Sequence, residues 1–304
     1  MLNLKLILIS IFLFFLSGCN FFDGEMIIED PIEVNVVEAT GVVTMENLWD
    51  SCIHNSYGDS CYVVRKFGES DNIGTDVVPV TNGEVYQTPM TLTTLDIVSD
   101  DADDTYGGSG AWSVKVTGIS TNWTEVTETI NLSGTTPVTL SNQFYRVYRM
   151  KVYESGTYAS QIVGSHEGTI EINGVTGNEL WAKIAVNGVT LGQTEIGVYT
   201  IPKGYHAHLG TVFLHNNGNK VSNVYMFLRD NASDVTIPYT PMRIQFQVHG
   251  LSGGEVLLPK SISGGMIETS DIGFMANTDT GTTEVSVDYE LLLIKGDHHD
   301  ILIN

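Results

Sequence analysis

Basic residues are scarce. The 304-residue chain sets 14 Lys and Arg against 36 Asp and Glu, a formal charge of −22. Binding a phosphate backbone by counterion release needs clustered Lys and Arg. No cluster is present, which excludes nucleic acid as a partner, and adsorption to anionic headgroups is disfavoured for the same reason. Proline is sparse too, 8 residues against 31 glycines, so the chain is rich in turns and is not a stiff spacer. No stretch keeps apolar residues at i, i+3, i+4 and i+7 for three turns, which leaves residues 45–54 as the one place for a turn or two of helix. The chain has no Walker loop, no dinucleotide fingerprint and no Cys-x-x-Cys-His. Residues 107–111, Gly-Gly-Ser-Gly-Ala, lack the second glycine of a nucleophile elbow and open no helix. Nothing in the chain points to an enzyme.

What is present is strand after strand. Hydrophobic residues make up 42% of the chain and aromatics 9%, enough to bury a core. Trp112, Val114 and Val116 alternate with Ser113, Lys115 and Thr117. Val126 and Ile130 share a second two-residue period, Ile244, Phe246 and Val248 a third, and Val285, Val287, Tyr289, Leu291 and Leu293 a fourth. A period of two buries one face of a strand and wets the other. Glycine, Asn and Asp clusters punctuate the runs, including the tight-turn pairs Asn173-Gly174 and Asn187-Gly188. The expectation is an all-β protein of two antiparallel sandwich or jelly-roll-like modules. The looser stretch at residues 154–168 sets a first module at 61–153 and a second at 169–294, with a charged tail at 295–304.

The first residues read as an address. Residues 6–16 form an apolar run broken only by Ser10, with Lys5 before it and Leu16-Ser17-Gly18-Cys19 after it. The run is short for a membrane span and fits an export signal. Its ending matches the bacterial lipobox, which implies cleavage after residue 18 and acylation of Cys19. Acyl chains at about 0.8 kcal/mol per buried CH₂ make a durable membrane anchor. Asn20, not aspartate, follows Cys19, which points to the outer membrane in a two-membrane cell. Residues 19–60 then read as a tether and a small loop. Cys52 and Cys61, nine residues apart, suit a disulfide in an exported chain. Free thiols are the alternative, and His54 alone does not complete a metal site.

Other candidate chemistry is thin. Asp100, Asp101, Asp103 and Asp104 crowd one turn and could offer oxygens to calcium, though no glutamate closes a twelve-residue loop. His206 and His208 share a strand face, and His298-His299 lie in the tail; both read as surface histidines. Tyr145, Tyr148 and Tyr153, with Trp112, Trp123 and Trp181, could form a sugar platform but fit a β core better.

Several segments taken together resemble a family. Val64-Arg65-Lys66-Phe67-Gly68 comes first, then the turn at residues 99–110, SDDADDTYGGSG. The hairpin at residues 112–138, WSVKVTGISTNWTEVTETINLSGTTPV, follows, then residues 144–152, FYRVYRMKV, and Tyr199-Thr200-Ile201-Pro202-Lys203-Gly204. This order resembles a group of virion structural proteins of tailed phages, many of them marine, across residues 64–294. The hairpin is the specific part. The resemblance implies a non-enzymatic capsid-decoration or fibre protein, or an envelope-displayed relative carrying the lipid anchor. Its partners would be copies of itself and other virion or cell-envelope proteins. A host surface lipoprotein that binds glycan or protein is the alternative. Strands at residues 221–228 and 242–247 carry almost no charge, so each is expected to be either central in its sheet or covered by another subunit, in a homo-oligomer of trimeric size.

Overall fold

Alternating apolar residues and glycine-rich turns produce an almost purely β protein. The computed structural model describes residues 45–54, 60–82, 86–156, 166–186, 191–258 and 265–296. Among them are one helix, α1 (Met45–Ile53), and sixteen strands. The first nine are β1 (Cys61–Ile73), β2 (Val78–Pro79), β3 (Leu95–Ser99), β4 (Ala111–Ile119), β5 (Glu125–Asn131), β6 (Val138–Thr139), β7 (Arg146–Ser155), β8 (Ile170–Gly174) and β9 (Leu180–Ile184). The remaining seven are β10 (Val198–Thr200), β11 (Tyr205–Asn216), β12 (Ser222–Arg229), β13 (Arg243–Leu251), β14 (Gly254–Leu258), β15 (Asp271–Thr278) and β16 (Thr283–Lys295). The expected signal, Cys19 and the tail histidines lie outside the described residues.

Eight strands build a jelly roll. One sheet has the order β1-β16-β11-β14 and the other β10-β15-β12-β13, with the short β2 added beside β15. Successive strands alternate between the sheets except at β12–β13, and every pairing is antiparallel. Two four-stranded sheets joined in this way are the jelly-roll arrangement. The period-two runs explain the register. On β16, Val285, Val287, Tyr289, Leu291 and Leu293 are all buried and face the interior. Phe274 of β15 meets Tyr289 across the sandwich, ring centroids 5.1 Å apart. β1 needs glycine at Gly68, because a Cβ there would lie 2.3 Å from the Gly197 backbone.

The stretch between β1 and β10 folds as an insert. Sheet β6-β3-β8-β9 and sheet β5-β4-β7 contribute Leu95, Ile97, Ile170, Ile172, Val114, Val116 and Met150 to the core that the jelly roll also fills. All the described residues fall within one compact unit, Val43–Asn304. Hydrogen bonding therefore crosses the expected division at residues 154–168. β1 lies before it and pairs with β16, while β8 and β9 lie after it and extend the sheet of β3. The jelly roll is closed by strands more than 200 residues apart.

Helix α1 lies on the outer face of the first sheet. Trp49 and Cys52 pack with Cys61, Leu292 and Ile294 in a small second core. A Cβ at Gly210 would strike the Trp49 ring at 2.4 Å, so the bare glycine makes room for it. Cys52 and Cys61 are bonded, their Cα atoms 5.5 Å apart, and this ties the helix to the first residue of β1.

Candidate assembly surface

The two weakly charged strands prove to differ. β12 is central, flanked by β15 and β13. β13 is the last strand of its sheet, and β14 is the last strand of the facing sheet on the same side. The two strands follow each other through residues 252–253 but do not pair, so both sheet edges are left open there. Ile244 belongs to the apolar set of β13 yet is 48% exposed, and Phe246, Val248, Val256 and Leu258 are only partly buried. The segment leading into β13 is more exposed still, with Ile237 at 83% and Met242 at 56%. Tyr239 donates its hydroxyl to Met90 Sδ at 3.2 Å, and Met90 is itself exposed. Beside them opens a cleft of about 270 Å³ with Arg229 and Asp234 in its walls. Residues 235–254 contain no Asp or Glu, although the chain carries 36. The edge is therefore largely apolar, with Arg243 of β13 and Glu255 of β14 as its charged residues. Surface of this kind is what soluble β proteins ordinarily cover, charge or pair.

Two buried ionic clusters tie the insert to the jelly roll. Arg146, first residue of β7, donates from Nε and Nη2 to Asp271 Oδ1 and Oδ2 at 3.2 and 3.0 Å. Nη1 donates to the Tyr145 carbonyl, and Thr200 donates its hydroxyl to Asp271 Oδ1 at 2.6 Å. Both ends of the pair are buried, at 1% and 2% side-chain exposure. Trp123 covers the guanidinium, 5.4 Å from its ring centre, and stacks on Tyr145 at 4.6 Å. The second cluster centres on Glu125, which accepts from the hydroxyls of Tyr148 and Tyr199. Lys66 Nζ donates to the Tyr148 carbonyl and lies over the Tyr148 ring. Burial drives the Lys66 ammonium well below its usual range, and nearby Arg149 adds to this. Burial likewise raises Tyr148 and Tyr199, with Glu125 contributing in both cases. These groups are engaged with one another and lie at a module junction, so their role is cohesion.

The other residues singled out from sequence fall as follows. Asp104 is fully buried and accepts four hydrogen bonds. Ala111 N and Glu167 N reach Oδ1 at 2.7 and 2.9 Å, and the Ser99 hydroxyl and Gly168 N reach Oδ2 at 2.6 and 2.9 Å. A carboxylate has about four acceptor positions, so Asp104 has none left for calcium. Asp100 accepts from Thr169 N, and Asp101 accepts from Asp103 N in a local turn. No group of three or more metal-ligating side chains suited to an ion occurs among the described residues. His206 and His208 lie on β11 opposite Ile294 and Leu292. The supposed aromatic platform is dispersed: Trp123, Tyr148 and Trp181 are buried, and Tyr153 is exposed under the Lys115 ammonium, 4.1 Å from its ring centre.

Sequence reasoning missed Arg146, Asp271, Lys66 and Glu125. β7 carries three cations, Arg146, Arg149 and Lys151, and nothing in the sequence sets Arg146 apart as the buried one. Its partner lies 125 residues away, and nothing local marks it.

No protein-family model matches the chain, and no curated protein matches it. Among solved structures, the infectious bursal disease virus Gt strain is 12% identical over 81% of this chain and 75% of that one, with a TM-score of 0.24. The Gx strain of the same virus is 11% identical over 78% and 73%, with a TM-score of 0.25. The VP2 subviral particle of infectious bursal disease virus is 12% identical over 80% and 74%, at 0.21. Superpositions this loose leave strand order and register as the basis for the fold.

Proposed function

We propose that the chain is a non-enzymatic structural protein of the virion type, or an envelope-displayed relative of one, and that its copies assemble through the open β13–β14 edge. One observation carries this reading: two adjacent sheet edges whose inward apolar residues are left half uncovered, with Glu255 as their one acidic residue. The occupant that fits is a second copy of the chain. Elsewhere, two molecules of charge −22 repel each other; this edge is where they can approach. A closed ring covers such an edge on every copy and leaves no free end, and a trimer is the expected size. The jelly roll supports the reading without deciding it, since viral coat proteins and lectins share that architecture.

The edge is tested by Ile244→Lys. The variant should keep its β-type circular dichroism and sediment as a smaller species than the parent. An unchanged sedimentation coefficient in a folded variant would remove β13 from the interface.

The lipobox favours display on a membrane. Cys19 would be the acylated residue, anchoring the mature chain in the envelope through residues 20–44. Labelling cells with a fatty-acid probe should mark the wild type and not Cys19→Ala; equal labelling would exclude the anchor.

A further inference from the structure

The outer face of the first jelly-roll sheet carries a groove that cohesion of the fold does not use. It is open, holds about 400 Å³, and is lined by Arg65, Thr211, Phe213, Asp288 and Glu290. That volume lies in the range of small-ligand sites. Strand register sets its composition. Asp288 on β16 sits directly between Phe213 of β11 on one side and Phe67 of β1 on the other. One step along, Arg65 opposes Glu290, and its Nε donates to Glu290 Oε1 at 2.9 Å. β11 bulges between Leu209 and Val212, which puts Thr211 at the groove wall.

Three features need explaining. Phe213 stands 45% exposed on a strand whose other face buries Ala207, Leu209, Val212 and Leu214. Asp288 stands exposed beside it on the same face, partial desolvation raises its carboxyl above the usual range, and no donor among the described residues reaches it. Arg65 is 74% exposed and uses one donor on Glu290, which leaves most of its guanidinium N–H groups facing the groove and solvent.

We propose that this groove binds a neutral pyranose unit of a glycan, its C–H face on Phe213 and vicinal hydroxyls donating to Asp288. The arrangement matches that chemistry at each point. An aromatic ring offers a flat apolar platform to axial C–H groups. Asp288 takes two hydroxyl donors, while Arg65 and Thr211 serve ring and hydroxyl oxygens as donors. A cationic ligand would satisfy Asp288 but would sit beside the Arg65 guanidinium. An anionic one would meet Asp288 and Glu290. A ligand with many hydroxyls and no charge avoids both conflicts. The groove lies on the outer face of β1, β16 and β11, and Phe213 pairs with Leu257 of the edge strand β14, so oligomer mass is read beside sugar binding to keep this proposal distinguishable from the assembly reading.

Saturation-transfer NMR on the mature protein tests it, with methyl α-glucoside, methyl α-mannoside, methyl β-galactoside and N-acetylglucosamine as probes. At least one sugar should receive saturation, strongest on ring C–H protons. Phe213→Ala and the isosteric Asp288→Asn should each weaken its binding at least tenfold with unchanged circular dichroism and oligomer mass. Saturation of none of these sugars at tens of millimolar would overturn the proposal, as would saturation that persists in both variants. Tetramethylammonium binding that is lost in Asp288→Asn, with no sugar bound, would assign the groove to cations and equally overturn it.

Discussion

Removing Asp271 should be among the most damaging single changes to this protein. Asp271→Asn keeps the size and shape of the side chain but withdraws the negative charge from two charge-assisted hydrogen bonds to Arg146. The guanidinium is then left in a site of 1% exposure, with the Tyr145 carbonyl and the Trp123 face as its remaining compensation. Breaking one side of a buried ion pair typically costs about 3–5 kcal/mol. Against a total stability of about 5–15 kcal/mol that is a fifth or more. At about 2–4 °C per kcal/mol for domains of this size class, the expected fall in Tm is roughly 6–20 °C. The companion variant removes both charges, Arg146→Met with Asp271→Leu. No buried charge is stranded in it, so most of the loss should return, apart from about 1 kcal/mol each for the Tyr145 carbonyl left without its donor and the Thr200 hydroxyl left without its acceptor. Urea unfolding of the wild type, Arg146→Met, Asp271→Leu and the double completes a thermodynamic cycle, with Asp271→Asn measured beside it. A cost below about 1 kcal/mol for Asp271→Asn, or a double variant no better than the single, would refute the account of this pair as the tie between insert and jelly roll.

Further expectations concern acidity, calcium and redox state. Glu69 is raised from 4.5 to about 7, first by desolvation and then by Glu195, Glu284, Asp71 and Asp288. The folded state therefore holds this proton where the unfolded state has released it, so the Glu69 contribution favours folding at low pH and is lost as pH rises through that window. Glu69→Gln should flatten the pH dependence of Tm in the window and stabilise the protein above it; an unaltered profile would contradict the assignment. Calcium at a few millimolar should leave Tm unchanged, because the Asp104 acceptors are all taken. Asp104→Ala should cost several kcal/mol, at about 1–3 kcal/mol for each stranded buried donor. The Cys52–Cys61 bond should appear as a linked peptide in a non-reduced digest, and its reduction should cost about 2–3 kcal/mol; two alkylatable thiols in exported material would exclude it.

The local pattern of this chain was legible and its long-range pairing was not. The alternations at Val114 and Val116, at Ile244 to Val248 and at Val285 to Leu293 became β4, β13 and β16, and the short helix at Met45–Ile53 lies where the one helical stretch was expected. Each of these rests on neighbours within a few residues. That β1 pairs with β16, and that a whole sandwich is inserted between β1 and β10, depends on partners far apart in sequence. A period of two tells which side of a strand is buried, not which strand lies beside it. The same limit applies to sites. The weakly charged residues of β12 and β13 looked alike in sequence; only strand order separates the central strand from the edge. Asp104 looked like a cation ligand, because its four donors come from residues 99, 111, 167 and 168, and most of them are distant in the chain. Phe213 and Asp288 become groove neighbours through pairing across 75 residues of chain, and no local motif announces them.

The claim that copies of this chain meet at the β13–β14 edge is tested most directly by the mass of the mature protein in solution. Light scattering across a concentration series up to tens of micromolar should return a multiple of the chain mass, three being the expected number, that holds on dilution to the low-micromolar range. A mass of one chain at every concentration would contradict the assembly reading and leave the open edge for a different protein to cover.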